Sequence, residues 1–258
     1  MKKKSIARSF YVTVLQLVTL LLVCIACDYM NDEEFEPQLN IFGVLSNLYQ
    51  RHEIIVDRTY AIDEPYGPVV DDAIVILLRD TLIDTLEFLY SSERYYTEPI
   101  MLDPLTTYDL TVEKEGFDTV YAATTIPGDF AIFFPLYNDT LTLRDTILFE
   151  QSVGAALYGL TFIRYGGGWG PSFLYEPDPL DSLVQIPVSE YVDEHCTGQF
   201  MIYILAYDSN YYEYYFVEAD SIAQAGVTGG VGLFGSTWSE ATSAYVIFDP
   251  GSDLEIRN

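Results

Sequence analysis

Apolar and polar residues alternate in short segments along most of the chain, and turn residues separate these segments. Alternation with a period of two is typical of strands that bury one face. Spacings of roughly ten residues between segments indicate antiparallel sandwiches, so we predict an all-β chain. The segments that predict strands are residues 39–45, 53–59, 73–78, 81–90, 109–114, 118–125, 129–136, 140–151, 157–165, 183–188, 200–207 and 244–248.

A proline and a glycine interrupt the strand pattern near the middle of the chain, at residues 126–128 (Ile-Pro-Gly). Such residues separate regular elements. We therefore predict an N-terminal β-sandwich over residues 38–127 and a C-terminal β-sandwich over residues 128–258. The C-terminal part also contains two glycine-rich segments, 166–170 and 226–237, which we interpret as loops.

Residues 208–225 allow two interpretations. Asp208 could cap a short helix, or the preceding strand could continue through this segment. The helix is favoured because four side chains have the spacing of one helical face, namely Tyr211, Tyr214, Tyr215 and Glu218.

The first 27 residues have the layout of an export signal. A basic start precedes an apolar run over residues 9–26, and Ala26 lies directly before Cys27. This layout resembles the lipobox of bacterial lipoproteins, which implies removal of residues 1–26 and attachment of acyl chains such as palmitate to Cys27. Cys24 stands where the lipobox usually has leucine. A plain signal peptide and an uncleaved membrane anchor are the alternatives.

Residues 27–37 are rich in acidic side chains and end in proline. We interpret them as a lipid-anchored acidic tether. An acidic cluster directly after the lipidated cysteine resembles the surface-export signal of lipoproteins from Bacteroidetes-type bacteria. The resemblance implies an outer-membrane lipoprotein displayed on the cell surface, with the periplasmic face of the membrane as the alternative.

The chain is strongly acidic, with 39 acidic and 12 basic residues and a formal net charge of −27. Such a field repels nucleic acid, which binds clustered lysine and arginine side chains. Nucleic-acid binding is therefore excluded. Half of the residues are hydrophobic and 15% are aromatic, which is enough for packed cores.

Candidate catalytic and metal-binding residues are few. His52 and His195 lie far apart in the sequence, and no zinc-binding spacing, nucleophile elbow or P-loop occurs. With Cys27 acylated and Cys24 removed, Cys196 has no partner for an intramolecular disulfide, and we predict that it is a small buried apolar residue. We predict no enzymatic activity, no catalytic residue and no metal centre.

Calcium is the cation that the composition leaves open. Hard oxygen ligands cluster in two places, but neither matches a D-x-D-x-D-G loop, so we expect adventitious binding only. The two clusters are Glu176, Asp178 and Asp181, and Asp249, Asp253 and Glu255.

The segment 165–173 combines aromatic residues with a run of glycines. Tyr165, Trp169 and Phe173 form the candidate binding surface, because aromatic faces stack on sugar rings or anchor protein partners. In the alternative, which we favour, Trp169 and Phe173 fold back and cover the end of the sandwich, since large aromatic side chains are on average well buried.

Five motifs have the order found in one family, namely residues 69–76 (VVDDAIVI), 101–112 (MLDPLTTYDLTV), 116–127 (GFDTVYAATTIP), 211–217 (YYEYYFV) and 229–236 (GGVGLFGS). The first three look like strands of a transthyretin-like or carboxypeptidase-regulatory-type sandwich. With the lipobox, the order resembles the Bacteroidetes lipoprotein family catalogued as domain of unknown function 4249. The resemblance implies an immunoglobulin- or transthyretin-like sandwich followed by a fibronectin type III-like sandwich, without established site residues.

Together these observations predict a non-enzymatic outer-membrane lipoprotein that acts as an accessory or protein-interaction module. Its expected partners are the membrane, through the lipid on Cys27, and an unknown protein in the outer membrane, such as a transporter. The alternative is a carbohydrate-binding or adhesion module that uses the loop 165–173. No cofactor is expected beyond adventitious calcium.

Overall fold

The structure is a computed structural model, and it describes residues 35–193, 196–217 and 224–248. The predicted leader, the lipidated Cys27 and most of the acidic tether lie outside these residues. So do several other residues named above, namely His195, Glu218, Asp249, Asp253 and Glu255.

Strands make up most of the regular structure in the described ranges. They are β1 (Leu39–Ser46), β2 (Glu53–Arg58), β3 (Ile74–Arg79), β4 (Leu82–Thr85), β5 (Glu87–Leu89), β6 (Arg94–Tyr96), β7 (Thr107–Glu113), β8 (Val120–Thr125), β9 (Ile132–Phe134), β10 (Asp139–Thr142), β11 (Thr146–Glu150), β12 (Leu157–Arg164), β13 (Trp169–Tyr175), β14 (Leu183–Pro187), β15 (Gly198–Tyr207), β16 (Gln224–Ala225), β17 (Val227–Thr228) and β18 (Val231–Ile247). The helical elements of the same residues are α1 (Ser209–Phe216) and a 3-10 turn (Val188–Glu190).

The strands form three sheets. A ten-stranded sheet has the order β13-β12-β15-β18-β1-β2-β6-β5, and β10 and β16 also pair with β18. A five-stranded sheet has the order β17-β8-β7-β3-β4, and a three-stranded sheet has the order β14-β11-β9. Most pairs are antiparallel, but β1, β10 and β16 run parallel to β18.

Two hydrophobic cores lie between these sheets. In the first core, Val75 and Leu110 of the five-stranded sheet pack with Ile41 and other residues of β1, β2 and β6. In the second core, Phe149 of the three-stranded sheet packs with Phe162 and other residues of β12 and β15. Alternating burial such as that of β7 and β8 produces each inner face. The predicted all-β fold with two sandwich cores is confirmed.

The strand β18 takes part in both cores. Its first half lies beside β1 and contributes Phe234 to the first core, whereas its second half lies beside β15 and contributes Ala244 and Val246 to the second. Trp238 packs against both. The two cores therefore share one continuous strand, and the division of the chain at residues 127 and 128 stays a prediction.

The interpretation of the glycine-rich segment 226–237 as a loop is wrong. This segment forms β17 and the start of β18. The first seven residues of β18 are buried without alternation because this half of the strand is covered on both faces. Gly232 has a φ of +118°, and a side chain there would collide with the carbonyl oxygen of Ile41. Glycine is required at this point because β1 approaches so closely.

The predicted short helix is present as α1. The side chain of Asp208 accepts a hydrogen bond from the backbone N–H of Tyr211 at 3.0 Å, which is the N-cap interaction. In the described part of the chain, no helix has the length and apolar character needed to cross a membrane.

Candidate functional site

A cleft of about 310 Å³ opens beside β4 at the outer edge of the five-stranded sheet. Its walls come from β3, β4 and β7 and from two loop segments on the opposite side. We call it the β4 cleft. The lining side chains used below are Tyr49, Arg79, Leu82, Ile83, Asp84, Met101 and Tyr108.

The edge strand β4 exists because the chain reverses tightly after β3. Asp80 has a φ of +52°, a left-handed conformation that aspartate tolerates better than most residues, and β4 then pairs back along β3. On its other side β4 has no strand partner among the described residues. Its outer backbone N–H and C=O groups are therefore available for pairing.

Several apolar side chains around the β4 cleft are exposed. The exposed fractions are 61% for Leu82, 70% for Ile83, 69% for Tyr49 and 62% for Met101. Scattered exposed apolar residues are ordinary, but a group of them around a concave opening marks an interaction site. The exposed strand edge and the apolar walls thus coincide.

Asp84 brings a carboxylate to this apolar surface. Its cross-strand partner is Leu77, which is buried in the first core, so Asp84 occupies an inward-facing position on β4. The Oδ2 atom is buried and has no hydrogen-bond partner in the described part of the molecule. Burial raises the pKa of the Asp84 carboxyl, and the backbone N–H of Glu98 offsets part of this shift.

The basic side chains near the cleft already have acidic partners. The Arg79 guanidinium lies 2.5 Å from the Asp103 carboxylate, and Arg51 pairs with Glu98 at 3.9 Å. Arg79 also lies 3.5 Å from the hydroxyl of Tyr108. Neither arginine is paired with Asp84 in the described structure, so its carboxylate is the charge that the cleft leaves unneutralised.

A second unpartnered group lies behind the cleft. The backbone of His52 exchanges hydrogen bonds with Thr97, on the segment that continues to Ile100 in the cleft wall. The imidazole is 1% exposed, and neither ring nitrogen has a hydrogen-bond partner among the described residues. Burial lowers the pKa of His52, and the backbone of Ile100 raises it by a smaller amount. His52 precedes β2 as predicted, but its burial was not predicted.

A different polar cluster lies where the two cores meet. The Thr124 hydroxyl donates to Asp208 Oδ2 at 2.5 Å, while Tyr211 donates to Oδ1. The amide of Asn210 donates to the carbonyl oxygens of Ala123 at 2.7 Å and Phe234 at 2.8 Å. Burial raises the pKa of the Asp208 carboxyl, and these hydrogen bonds lower it in part. We call this cluster the Asp208 junction.

The predicted aromatic surface is divided by the structure. Tyr165 is 46% exposed, whereas the ring of Phe173 stacks on Tyr191 with 3.8 Å between centroids and packs against the second core. Trp169 begins β13 opposite Ile163, and its side chain lies outside the described part. Tyr165 and Phe173 therefore do not share one exposed face, and a binding role for the loop stays a prediction.

The remaining candidate residues have structural surroundings. Cys196 packs against the second core, and burial raises the pKa of its thiol. Glu176 accepts a hydrogen bond from the hydroxyl of Tyr212 at 3.0 Å, and Asp178 accepts one from the backbone of Leu180. No group of three metal-ligating side chains occurs within the residues that the structure describes.

The fold and the cleft define an all-β protein with two sandwich cores and an open strand edge. A family model described as Domain of unknown function (DUF4249) matches residues 28–249, and the chain belongs to this family. The resemblance seen in the sequence motifs is thereby confirmed. No curated protein matches the chain.

The solved structures that match this chain share little sequence with it. The three N-terminal domains of the Highly Immunogenic Outer Capsid protein (Hoc) of bacteriophage RB49 are 13% identical, with a TM-score of 0.26, over 83% of this chain and 71% of that one. The FN1-FN3 domains of chicken CNTN1 are 12% identical, with a TM-score of 0.22, over 83% and 68%. TM-scores this low support no inference about function.

Proposed function

We propose that this protein is a non-enzymatic lipoprotein of the outer membrane that binds a protein partner through the β4 cleft. The observation that carries the binding role is the coincidence of an open strand edge with exposed apolar side chains around one cavity. Covering both features with a partner lowers the free energy. The backbone groups of the strand edge form hydrogen bonds with the partner, and apolar area is removed from water.

The membrane location in this proposal is supported by the sequence. The basic start, the apolar run and Cys27 fit a lipoprotein leader, and the acidic tether fits display on the cell surface, with the periplasmic face as the alternative. A lipid anchor would hold the β4 cleft near other proteins of the same membrane, such as a transporter. Replacing Cys27 by alanine should release the protein from the membrane fraction, and retention would contradict the lipid anchor.

The binding role is tested by crosslinking in intact cells. A photoreactive amino acid in place of Ile83 should give a discrete crosslinked species in the outer-membrane fraction. The matched control carries the same group in place of Tyr245, which is an exposed aromatic residue on the second sandwich. The species should also disappear when Met101→Lys places a charge in the cleft. Equal crosslinking from both positions, or none from position 83, would contradict the proposal.

A carbohydrate-binding role of the loop 165–173 is the second candidate. It is supported by the exposed ring of Tyr165, which precedes three consecutive glycines with positive φ angles. A ring in this position could stack on a sugar. Binding of a glycan that Tyr165→Ala weakens would support this role, whereas a glycan array without signal for the wild-type protein would contradict it.

A further inference from the structure

We propose that the β4 cleft binds an extended peptide segment in which a lysine or arginine lies among apolar residues. The main chain of the segment pairs with the free edge of β4, its apolar side chains occupy the cleft, and its cation pairs with the Asp84 carboxylate. This inference rests on the function proposed above and specifies the chemistry of the partner.

The edge of β4 accounts for the extended conformation. Four residues of β4 pair with β3, from Arg79 opposite Leu82 to Ile76 opposite Thr85, and the other edge is open in the described structure. An added strand would satisfy these outer backbone groups over about 13 Å, at roughly 3.3 Å per residue. Such pairing depends on the main chain, so it tolerates many sequences.

The walls of the cleft account for apolar side chains in the segment. In a bound strand, alternate side chains point to the same side, so one set faces the cleft. Leu82 and Met101 are exposed apolar residues that this set would cover, whereas Ile83, the neighbour of Leu82 on β4, would meet the alternate set. Tyr49 also lines the opening. Covering them removes apolar area from water, which adds affinity to the pairing of main chains.

Asp84 accounts for the cation. Asp84 lines the cleft at an inward-facing position, and its buried Oδ2 lacks a hydrogen-bond partner in the described structure. The nearby arginines are neutralised by Asp103 and Glu98, and no described basic side chain is paired with Asp84. A lysine or arginine from the ligand would provide the missing donor in a partly dehydrated place, where charge-assisted hydrogen bonds are strong. An acidic or purely apolar segment would leave the Oδ2 atom of Asp84 without a partner.

An inward-pointing charge on an edge strand can also prevent self-association, because it hinders pairing with the edge strand of a second copy of the chain. The two explanations differ in the effect of Asp84→Asn. If Asp84 only deters self-association, the variant should dimerise through β4 and should select peptides as the wild type does. If Asp84 binds a cation, the variant should remain monomeric or gain little self-association, but it should lose its preference for basic peptides.

The experiment is a selection of random nine-residue peptides on the purified full chain, held in detergent. We expect the selected peptides to share one basic residue with apolar residues on both sides. Asp84→Asn should remove the basic preference and weaken the binding of synthetic wild-type-selected peptides by about tenfold, which is the scale of one charge-assisted hydrogen bond. The matched control Asp80→Asn removes the same charge two residues before β4, and it should change neither result. Asparagine also tolerates the positive φ at position 80.

Backbone methylation of a selected peptide tests the strand pairing. N-methyl groups at alternate residues should abolish binding in one phase and leave it intact in the other, because only every second amide of an added strand faces β4. Circular dichroism and the urea midpoint confirm that each variant is folded.

The inference is overturned if the selected peptides show no basic preference, if Asp84→Asn binds them as the wild type does, or if methylation acts equally in both phases. Crosslinking from position 83 in cells together with any of these results would leave the proposed function standing and refute only the peptide chemistry. A cleft that neither crosslinks nor selects peptides would refute both.

Discussion

The Asp208 junction and the β4 cleft each contain an aspartate whose pKa is raised by burial, but the hydrogen bonding of the two carboxylates differs. At the junction, both carboxylate oxygens accept hydrogen bonds, from Thr124 and from Tyr211. At the cleft, the buried Oδ2 of Asp84 has no such partner in the described structure. A satisfied buried group fixes a structure, whereas an unsatisfied one costs free energy until something binds it.

The positions of the two groups fit these roles. Asp208 lies between β15 and α1 and contacts β8 and β18, so it links elements that belong to both cores. Asp84 lies on the last strand of a sheet, and its Oδ2 has no hydrogen-bond partner in the described structure. Loss of Asp208 should therefore affect stability, whereas loss of Asp84 should affect binding.

The largest expected effect is that of Asp208→Ala. The substitution removes the N-cap of α1 and the charged acceptor of the Thr124 hydroxyl, which then has only the Ser236 hydroxyl at 2.9 Å, so the free energy of unfolding should fall by about 3 kcal/mol. Urea denaturation followed by far-ultraviolet circular dichroism measures this difference.

The control for this variant is Asp71→Ala, at an exposed position before β3. Its free energy of unfolding should stay within about 0.5 kcal/mol of the wild-type value. If Asp208→Ala costs no more than this control, the junction does not hold the cores together and the contrast with Asp84 fails.

Thr124→Val tests the same junction with a smaller change. Valine keeps the shape of threonine but cannot donate to Asp208 Oδ2, so the expected loss of stability is about 2 kcal/mol. In the double variant with Asp208→Ala the two losses of stability should not add fully, because both substitutions remove the same hydrogen bond between Thr124 and Asp208. Additive losses would show that Thr124 acts independently of Asp208.

The contrast between the two regions also separates what the sequence can and cannot predict. The N-cap role of Asp208 was predictable because capping depends on residues three positions apart, such as Asp208 and Tyr211. The surroundings of Asp84 and His52 were not, because they depend on which distant segments pair. Asp84 faces inward only because β3 pairs with β4 in the register that places it opposite Leu77.

The same limit explains the error in the glycine-rich segment. Alternation of apolar and polar residues indicates strands that have one solvent-exposed face, and it correctly predicted most strands of both sandwiches. The start of β18 is buried on both faces, and its glycines are required by the approach of β1, which comes from the other end of the chain. No local pattern distinguishes such a strand from a glycine-rich loop.

Asp84→Leu should have a smaller effect than the junction variants, with the opposite sign. Removing a carboxylate whose Oδ2 has no partner from an apolar wall should leave stability near neutral pH unchanged or raise it by up to about 1 kcal/mol. The pKa of Asp84 is raised above its ordinary value of 3.8 in the folded state. The carboxyl therefore contributes stability below pH 3.8, and the wild type loses this contribution as the pH rises through the folded-state pKa. The variant lacks this contribution, so urea midpoints near pH 4 and pH 7 should differ less than in the wild type. A loss of stability comparable with that of Asp208→Ala would mean that Asp84 is structurally satisfied after all.

His52→Phe is expected to have the smallest effect, which is confined to mildly acidic conditions. The folded-state pKa of His52 lies below its usual value of 6.5, so the unfolded chain binds the proton more readily, and wild-type stability is present above this pH and falls below it. At about pH 6 the loss stays below about 1 kcal/mol, because the unfolded-state pKa sets that limit. Phenylalanine keeps an aromatic ring in the buried space and cannot be protonated. The difference between wild type and variant in the urea midpoint should therefore appear only below about pH 6.5. If the difference between the wild type and His52→Phe were the same at every pH, folding would not lower the pKa of His52, and the contrast with the Asp208 junction would rest on Asp84 alone.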